Sequence, residues 1–398
     1  MEKSENLTIL AVETSCDDTA VSIIKASGES KPRFSVLANI VSSQIEVHKK
    51  WGGVYPTLAK REHQKNLVPV LEAALGKAGT LEMTKSEFLI SKQTQNPKFK
   101  ALKKILKREE DLYEKMADFL GKYQKPEIDL IAVTSGPGLE PCLWVGINFA
   151  KALSYFWEIP IITVNHIKAH IFVNDLEKPL SPESFPAVCL IVSGGHTMLF
   201  LMQDFGKYKI LGETRDDAAG ECFDKVAKIL GLGYPGGPVI AAEAAKTLGG
   251  RTSQQLPRPM INSRDYDFSF SGLKTAVLYN FQKQTPEKRT GKKYIQEICR
   301  ETQQAIIDVL VKKTLKAAKD YKAKTIILGG GVAANEELRK QFKSQIRNSK
   351  IMVDFSVPPK NLCTDNAVMT AIAGYFRYRN GKREKWQDIE ANANLRLE

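Results

Sequence analysis

One design occurs twice in this chain, and it restricts the fold more than any other feature. Ile9 to Ile24 (ILAVETSCDDTAVSII) and Val188 to Met202 (VCLIVSGGHTMLFLM) each set an apolar, β-rich run, a small polar turn and a second apolar run in succession. That pattern predicts strand, turn, strand. Ile128 to Ala152 and Lys324 to Lys340 each run strand, glycine-rich turn, helix, with Pro137 and Gly138 in one turn and Gly329, Gly330 and Gly331 in the other. The order of hairpin, intervening elements and strand–turn–helix therefore occurs once before about residue 165 and once after it. The reading is a duplicated α/β protein whose halves, 1–165 and 166–398, flank a central cleft.

The chain has 398 residues, enough for two or three domains. A hydrophobic fraction of 43% and a charged fraction of 26% exclude a disordered chain, and no apolar run reaches the length of a membrane-spanning helix. Glu2 and Glu5 stand where a secretory signal would be cationic, so the expected location is cytoplasmic. Cys16, Cys142, Cys189, Cys222, Cys299 and Cys363 are scattered singly, which argues against a zinc ribbon or a redox pair and predicts reduced thiols. Lysine and arginine number 58 against 45 acids, a net charge of +13 that attracts polyanions such as nucleic acid but is also found in proteins that merely stay soluble.

Between the first hairpin and the first glycine turn lies a polar, charged stretch from about Thr80 to Lys125 that reads as an insertion. Leu102, Ile105, Leu106, Leu112, Met116, Phe119 and Leu120 recur at three- and four-residue spacing, which predicts one amphipathic helix over Ala101 to Tyr123. Lys92, Lys98, Lys100, Lys103, Lys104, Lys107 and Arg108 follow one another without a carboxylate. They form either an RNA-facing patch or the solvated face of a helix that packs on its own domain, and the packing role is the preferred one.

Two kinds of chemistry are written into the turns. Ser193-Gly194-Gly195 and Gly329-Gly330-Gly331 follow strands, where backbone N–H groups can approach phosphate oxygens. Neither is a P-loop or a G-x-G-x-x-G fingerprint. His166 and His170 in NHIKAH stand four residues apart, so on a helix both imidazoles share a face and can bind one metal ion. Ile167 and Ala169 occupy the positions where zinc proteases carry their general-base glutamate, which disfavours peptide hydrolysis. Asp365 in LCTDNAVM precedes a helix-like run and reads as a cap or as a third ligand. In the segment Asp216 to Pro238, Asp224 can accept hydrogen bonds from ribose hydroxyls while Gly237 lets the backbone come close. Asp267 to Thr275 (DFSFSGLKT) reads only as a strand or loop edge.

The strings AVETSCDDTA, GGVYPTLAKREH, TSGPGL, NHIKAH, LIVSGGHT, DDAAGECFDKVAKILGLGYPGGP, FSFSGLKTAV, GGGVAANEELR and CTDN stand in one order along nearly the whole chain. Together they resemble the TsaD family of threonylcarbamoyltransferases, in its bacterial and organellar branch. The resemblance implies the duplicated actin/Hsp70/sugar-kinase (ASKHA) fold. It implies an acyltransferase that moves the threonylcarbamoyl group from L-threonylcarbamoyladenylate to N6 of adenosine 37 in tRNAs reading codons that begin with A, releasing AMP. It further implies one divalent metal, Fe2+ or alternatively Zn2+, on His166, His170 and Asp365. Ile191, Val192, Ser193, Gly194, Gly195, Asp224, Gly237 and Asn335 would contact the adenylate, and Glu13, Ser15, Asp17, Asp18 and His196 would line the same cleft. The implied partners are tRNA and either TsaB-like and TsaE-like proteins or a second copy of the chain.

The chain departs from the family pattern in two places. Lys168 and Ala169 stand inside the His-x-x-x-His string where the family commonly has a central Glu, as in His-Met-Glu-Gly-His, and the insertion has no counterpart in the compact bacterial form. Two rival readings are an ATP-dependent small-molecule kinase of the same fold and a non-catalytic AMP-binding subunit. The histidine pair speaks against the kinase, which has no need of it.

Overall fold

The structure, a computed structural model, describes residues 6–28, 32–84, 96–247 and 255–397. The chain forms two compact units. The first takes in the described residues up to Glu46, Val54–Pro179 and Asp365–Leu397, and the second Val47–Gly53 and Leu180–Thr364.

In the first unit, β1 (Asn6–Glu13), β2 (Asp18–Ser27) and β3 (Arg33–Ser43) form an antiparallel meander. After the short α1 (Ile45–Lys49) come α2 (Pro56–Lys77), α3 (Pro97–Ile105) and α4 (Glu110–Lys122). Strand β4 (Leu130–Gly136), helix α5 (Glu140–Trp157), strand β5 (Ile161–Asn165) and helix α6 (His166–Phe172) follow. The sheet order is β3-β2-β1-β4-β5, with β4 and β5 parallel to β1. Strands β1 and β4 are central, and their runs Ile9–Val12 and Leu130–Val133 are wholly buried, as continuous apolar strands covered on both faces must be.

The second unit opens with the meander β6 (Ala187–Val192), β7 (Thr197–Asp204) and β8 (Lys207–Glu213). Five helices follow: α7 (Ala219–Leu230), α8 (Gly236–Ala245), α9 (Ser271–Gln282), α10 (Pro286–Arg289) and α11 (Lys292–Asp320). Strand β9 (Thr325–Gly329), helix α12 (Glu336–Ser349) and strand β10 (Asp354–Ser356) complete it. Its order, β10-β9-β6-β7-β8, repeats that of the first sheet with β6 in the place of β1. The duplication read from the sequence is therefore a duplication of topology. Ser271 to Thr275, read as part of a strand or loop edge, instead opens α9.

The division does not fall at 165/166. The first unit continues to Pro179 and regains the chain at Asp365, because α13 (Ala367–Arg379) is apolar along most of its length and packs on β1, β2, β4 and β5. The tail beyond it closes the same unit: the Asn392 N–H donates to the Ser135 carbonyl, and Gly138 N–H to that of Ala393.

The helix expected over Ala101 to Tyr123 is two helices, broken at Leu106 to Glu109. The break turns Leu106 inward and brings the buried Glu109 carboxylate within 3.0 Å of Asn148 on α5, where it accepts a hydrogen bond from the side-chain amide. Phe99, Leu102, Leu106, Leu112, Met116 and Phe119 all join the core of the first unit, so the segment packs on its own domain. Lys100, Lys103, Lys104 and Lys107 lie on its solvent side, and Lys92 falls outside the described residues.

Candidate functional site

Helix α6 starts at His166 because the Asn165 side chain accepts hydrogen bonds from the N–H groups of Ile167 and Lys168, at 2.9 and 3.1 Å. Four-residue spacing then brings the His166 and His170 rings to 4.7 Å between centroids. On the far side of the sequence, Asn366 caps α13 by accepting from Met369 N–H at 3.2 Å. Asp365, one residue before that cap, turns to the histidines. Its Oδ1 lies 3.2 Å from His170 Nε2 and 3.5 Å from His166 Nε2. All three ligand atoms fall within 4.8 Å of one another, and all three residues belong to the first unit.

Behind them stands Glu13, fully buried at the end of β1. Its Oε2 accepts from Thr134 Oγ1 at 2.5 Å and from Thr370 Oγ1 at 3.1 Å, and lies 3.4 Å from His166 Nδ1. Its Oε1 accepts from Ser15 N–H at 2.8 Å, while Ser15 Oγ sits 3.1 Å from His166 Nδ1. A carboxylate on Nδ1 leaves Nε2 pointing at the site, the orientation that metal-bound imidazoles depend on.

The electrostatics favour a cation. Burial works against an imidazolium at His166, but Asp365 and Glu13 outweigh it and raise its pKa to about 9. Burial likewise opposes charge on Glu13, yet His166 holds the carboxyl below its ordinary range. His170 is shifted down, chiefly by burial. Asp18, at the start of β2, is pushed up to about 7 by burial and by the charge of Asp365, with smaller contributions from Asp17 and Glu13. The Asp18 carboxyl, held back from ionising by burial and by its acidic neighbours, marks a place where positive charge is in deficit, and His170 Nδ1 is buried with no hydrogen-bond partner. Two imidazoles and a carboxylate so arranged are compatible with a single metal ion.

The second unit holds the glycine turns. Ser193 to His196 join β6 to β7, with Ser193 N–H donating to the His196 carbonyl at 2.8 Å. Ile191 and Val192 are buried in the sheet, so only their backbones can face a ligand. The start of α7 presses on this turn: a side chain at Gly220 would come within 2.5 Å of the Ser193 carbonyl oxygen. The next turn does so too, since Gly330 has φ +88° and a Cβ there would lie 2.4 Å from the Val192 carbonyl. Gly194, Gly195 and Gly237 are different. None has a positive φ, and nothing stands within 4 Å of the Cβ each lacks. The fold itself does not require glycine at these three positions.

Asp224 Oδ1 accepts from Gly236 N–H at 2.6 Å and so fixes the turn that presents Gly237. Asn335 caps α12 through Leu338 N–H at 2.9 Å and donates to Gln303 Oε1 at 2.8 Å. Its side chain thus shapes the end of the third glycine turn. Cys222 is buried against the Phe270 carbonyl, and burial pushes its thiol up to about 12. His196 is half-buried in the hairpin turn.

Sequence reading missed the residues that support the site. Thr134 and Thr370 hold Glu13, and Asn165 sets the start of α6. Fully buried His63 accepts from Thr19 Oγ1 at 2.8 Å and donates from Nε2 to the Cys16 carbonyl at 3.0 Å, fixing the acidic turn. Only Asn165 left a signal in the sequence, a capping residue directly before the histidine string.

Sheet order and its repetition in both units are those of the actin/Hsp70/sugar-kinase class, a mixed α/β fold made twice. A nucleotide- and phosphate-bound HypF structure superposes with a TM-score of 0.51, covering 95% of this chain and 47% of that one at 12% identity. Within that class the assignment is specific. The family model for TsaD, tRNA N6-adenosine threonylcarbamoyltransferase, matches residues 35–85 and 111–372, and the chain belongs to this family. The unmatched stretch between lies inside the charged segment from about Thr80 to Lys125. Proteins named tRNA N6-adenosine threonylcarbamoyltransferase from Persephonella marina and Thermosipho africanus are each 42% identical, over 98% of this chain and 96% and 99% of their own lengths. That of Geobacillus kaustophilus is 39% identical over 100% of this chain and 98% of its own.

Proposed function

We propose that this chain transfers the threonylcarbamoyl group of L-threonylcarbamoyladenylate to N6 of adenosine 37 in tRNAs that read codons beginning with A, releasing AMP. Family membership supports the reaction, and one observation carries its assignment to these residues. The His166, His170 and Asp365 cluster is convergent, with both histidines buried and Glu13 behind them, an investment of polar groups that a sugar kinase of this fold has no use for.

The exocyclic amine attacks the carbamoyl carbon of a mixed anhydride. A C–N bond forms, the C–O bond to phosphate breaks, AMP leaves with that electron pair, and the amine loses a proton. The protein therefore has to orient two partners and stabilise negative charge on the leaving phosphate. The backbone N–H groups at Gly194 and Gly195 suit that charge, and the missing side chains there leave the approach open. Asp224 has acceptor capacity for a ribose hydroxyl beside its bond to Gly236, and Gly237 keeps that edge uncrowded. Glu13 and Ser15 hold the His166 ring in place. The ion held by His166, His170 and Asp365 would be Fe2+ or Zn2+, supplying a Lewis acid for a carboxylate or phosphate oxygen. TsaB-like and TsaE-like proteins, or a second copy of the chain, belong to the same reading.

The test is to incubate the chain with tRNA, threonine, bicarbonate, ATP and a threonylcarbamoyladenylate synthase, with and without the partner proteins, and then to analyse nucleosides by mass. Threonylcarbamoyladenosine is the expected product. Its absence under both conditions would overturn the reading.

A further inference from the structure

Helices α5 and α12 occupy equivalent positions in the two units, each following a glycine turn, yet they are finished differently. Thirteen of the residues of α5 are buried, and Phe99 of α3 stacks edge-on against its Phe156 at 5.2 Å. Only Leu338 and Phe342 of α12 are buried. Its outer face borders a groove of about 510 Å³ lined by Glu336, Arg339, Lys340, Lys343, Arg347 and Lys360, with Ser344.

The groove is cationic by design of its spacing. Positions 340, 343 and 347 recur at three and four residues, so the three side chains form one stripe along about two turns of helix. Lys340 and Lys360 each pair with an acid, Glu337 and Glu336 respectively. Lys343 and Arg347 pair with no carboxylate among the described residues. Arg339 is the fixed element: its guanidinium donates to the Ala333 carbonyl at 2.6 Å and to that of Pro358 at 2.7 Å, tying α12 to the glycine turn at its start. The exposed cations are thus mounted on a helix tied to that turn.

We infer that the α12 groove lies along the phosphate backbone of the tRNA substrate. The inference rests on the tRNA reading above and deepens it. Charges that are exposed, on flexible stems and spread along a helix suit a polyanion whose phosphates repeat along a strand. A single small anion would instead call for buried donors converging on one point, and the groove supplies none. Contacts of this kind carry no base specificity, so they fix where the tRNA lies and leave the choice of nucleotide to the transfer site.

Binding of whole tRNA to the full chain, measured over a series of salt concentrations, tests the assignment. Two variants, K340E/K343E/R347E and the milder K343Q/R347Q, are compared with wild type, and polyaspartate binding is measured for all three chains. All the substituted residues are exposed, and thermal unfolding checks that the fold is kept. The triple variant should bind every tRNA roughly tenfold more weakly and flatten the salt slope by about 2, as expected for three lost phosphate contacts. K343Q/R347Q should show a smaller change in the same direction. Unchanged affinity and slope in both variants would overturn the assignment. So would variants that lose polyaspartate while keeping tRNA, which would make the groove a site for an acidic protein. A wild-type chain that binds no tRNA at all would bring down the transferase reading, and this inference with it.

Discussion

The two hairpin turns stand at the same place in two copies of one sheet, between β1 and β2 and between β6 and β7, and they carry opposite chemistry. The first, Glu13 to Asp18, is acidic and faces two imidazoles and Asp365. The second, Ser193 to His196, exposes two glycines. In each unit the turn after the next parallel strand presses on the hairpin. A Cβ on Gly138 would approach the Ser15 carbonyl to 2.6 Å, as one on Gly330 would approach Val192. The backbone scaffold has been kept in both copies, and on the proposed reading the groups on it are divided between holding a cation and accommodating an anion.

The sharpest way to break that division is to remove the first turn's partners. Asp365→Ala or His170→Ala should lose essentially all bound metal and all transfer while unfolding near the wild-type temperature, because neither side chain belongs to the apolar core cluster of the first unit. Glu13→Gln should lower metal affinity by about 10–100-fold, the usual cost of losing the group that orients a ligating histidine. Metal analysis of the purified variants decides both. Full metal content in Asp365→Ala would dissolve the contrast between the turns.

The second turn invites a comparison among glycines. Gly330→Ala forces a side chain into a left-handed backbone and onto a carbonyl, and should cost about 2–4 kcal/mol in denaturant unfolding. Gly194→Ala should change stability by no more than about 0.5 kcal/mol, yet weaken binding of AMP or a nonreactive adenylate analogue in calorimetry. If the two substitutions destabilised alike, Gly194 would be a requirement of the turn and the phosphate assignment would lose its support.

How much of this was legible in the sequence follows from how far apart the interacting residues lie. The paired hairpins and glycine turns are local patterns, and each appeared as read. So did the histidine pair, because four-residue spacing within a helix is itself a spatial statement. Asp365 pointed two ways, cap or ligand; Asn366 takes the cap, and Asp365 Oδ1 lies beside both histidines, an arrangement compatible with a ligand. Glu13, Thr134 and Thr370 come together across 121 and 357 residues, a proximity no local pattern encodes. The periodicity of Ala101 to Tyr123 was right about what is buried but blind to the break, since two short helices on one core share the spacing of one long helix. The return of α13 to the first unit is the same problem on a larger scale.

The smallest effect is also the most particular to the first turn. Without metal, His166 keeps its proton up to about pH 9, held by Asp365 and Glu13 against the cost of burial. His170, shifted down, is already neutral at pH 7. A metal ion needs both imidazoles unprotonated, so uptake near pH 7 must release about one proton, and that proton comes from His166. The sign follows directly: affinity rises with pH between 7 and 9, by about tenfold per unit for one displaced proton, and levels off once His166 is neutral in the metal-free protein. Calorimetry of metal binding in two buffers with different ionisation enthalpies counts the protons released. A flat affinity across that range would mean that Glu13 and Asp365 do not hold the His166 proton. The backbone N–H groups of Gly194 and Gly195 do not titrate in this range, so they add nothing to this dependence.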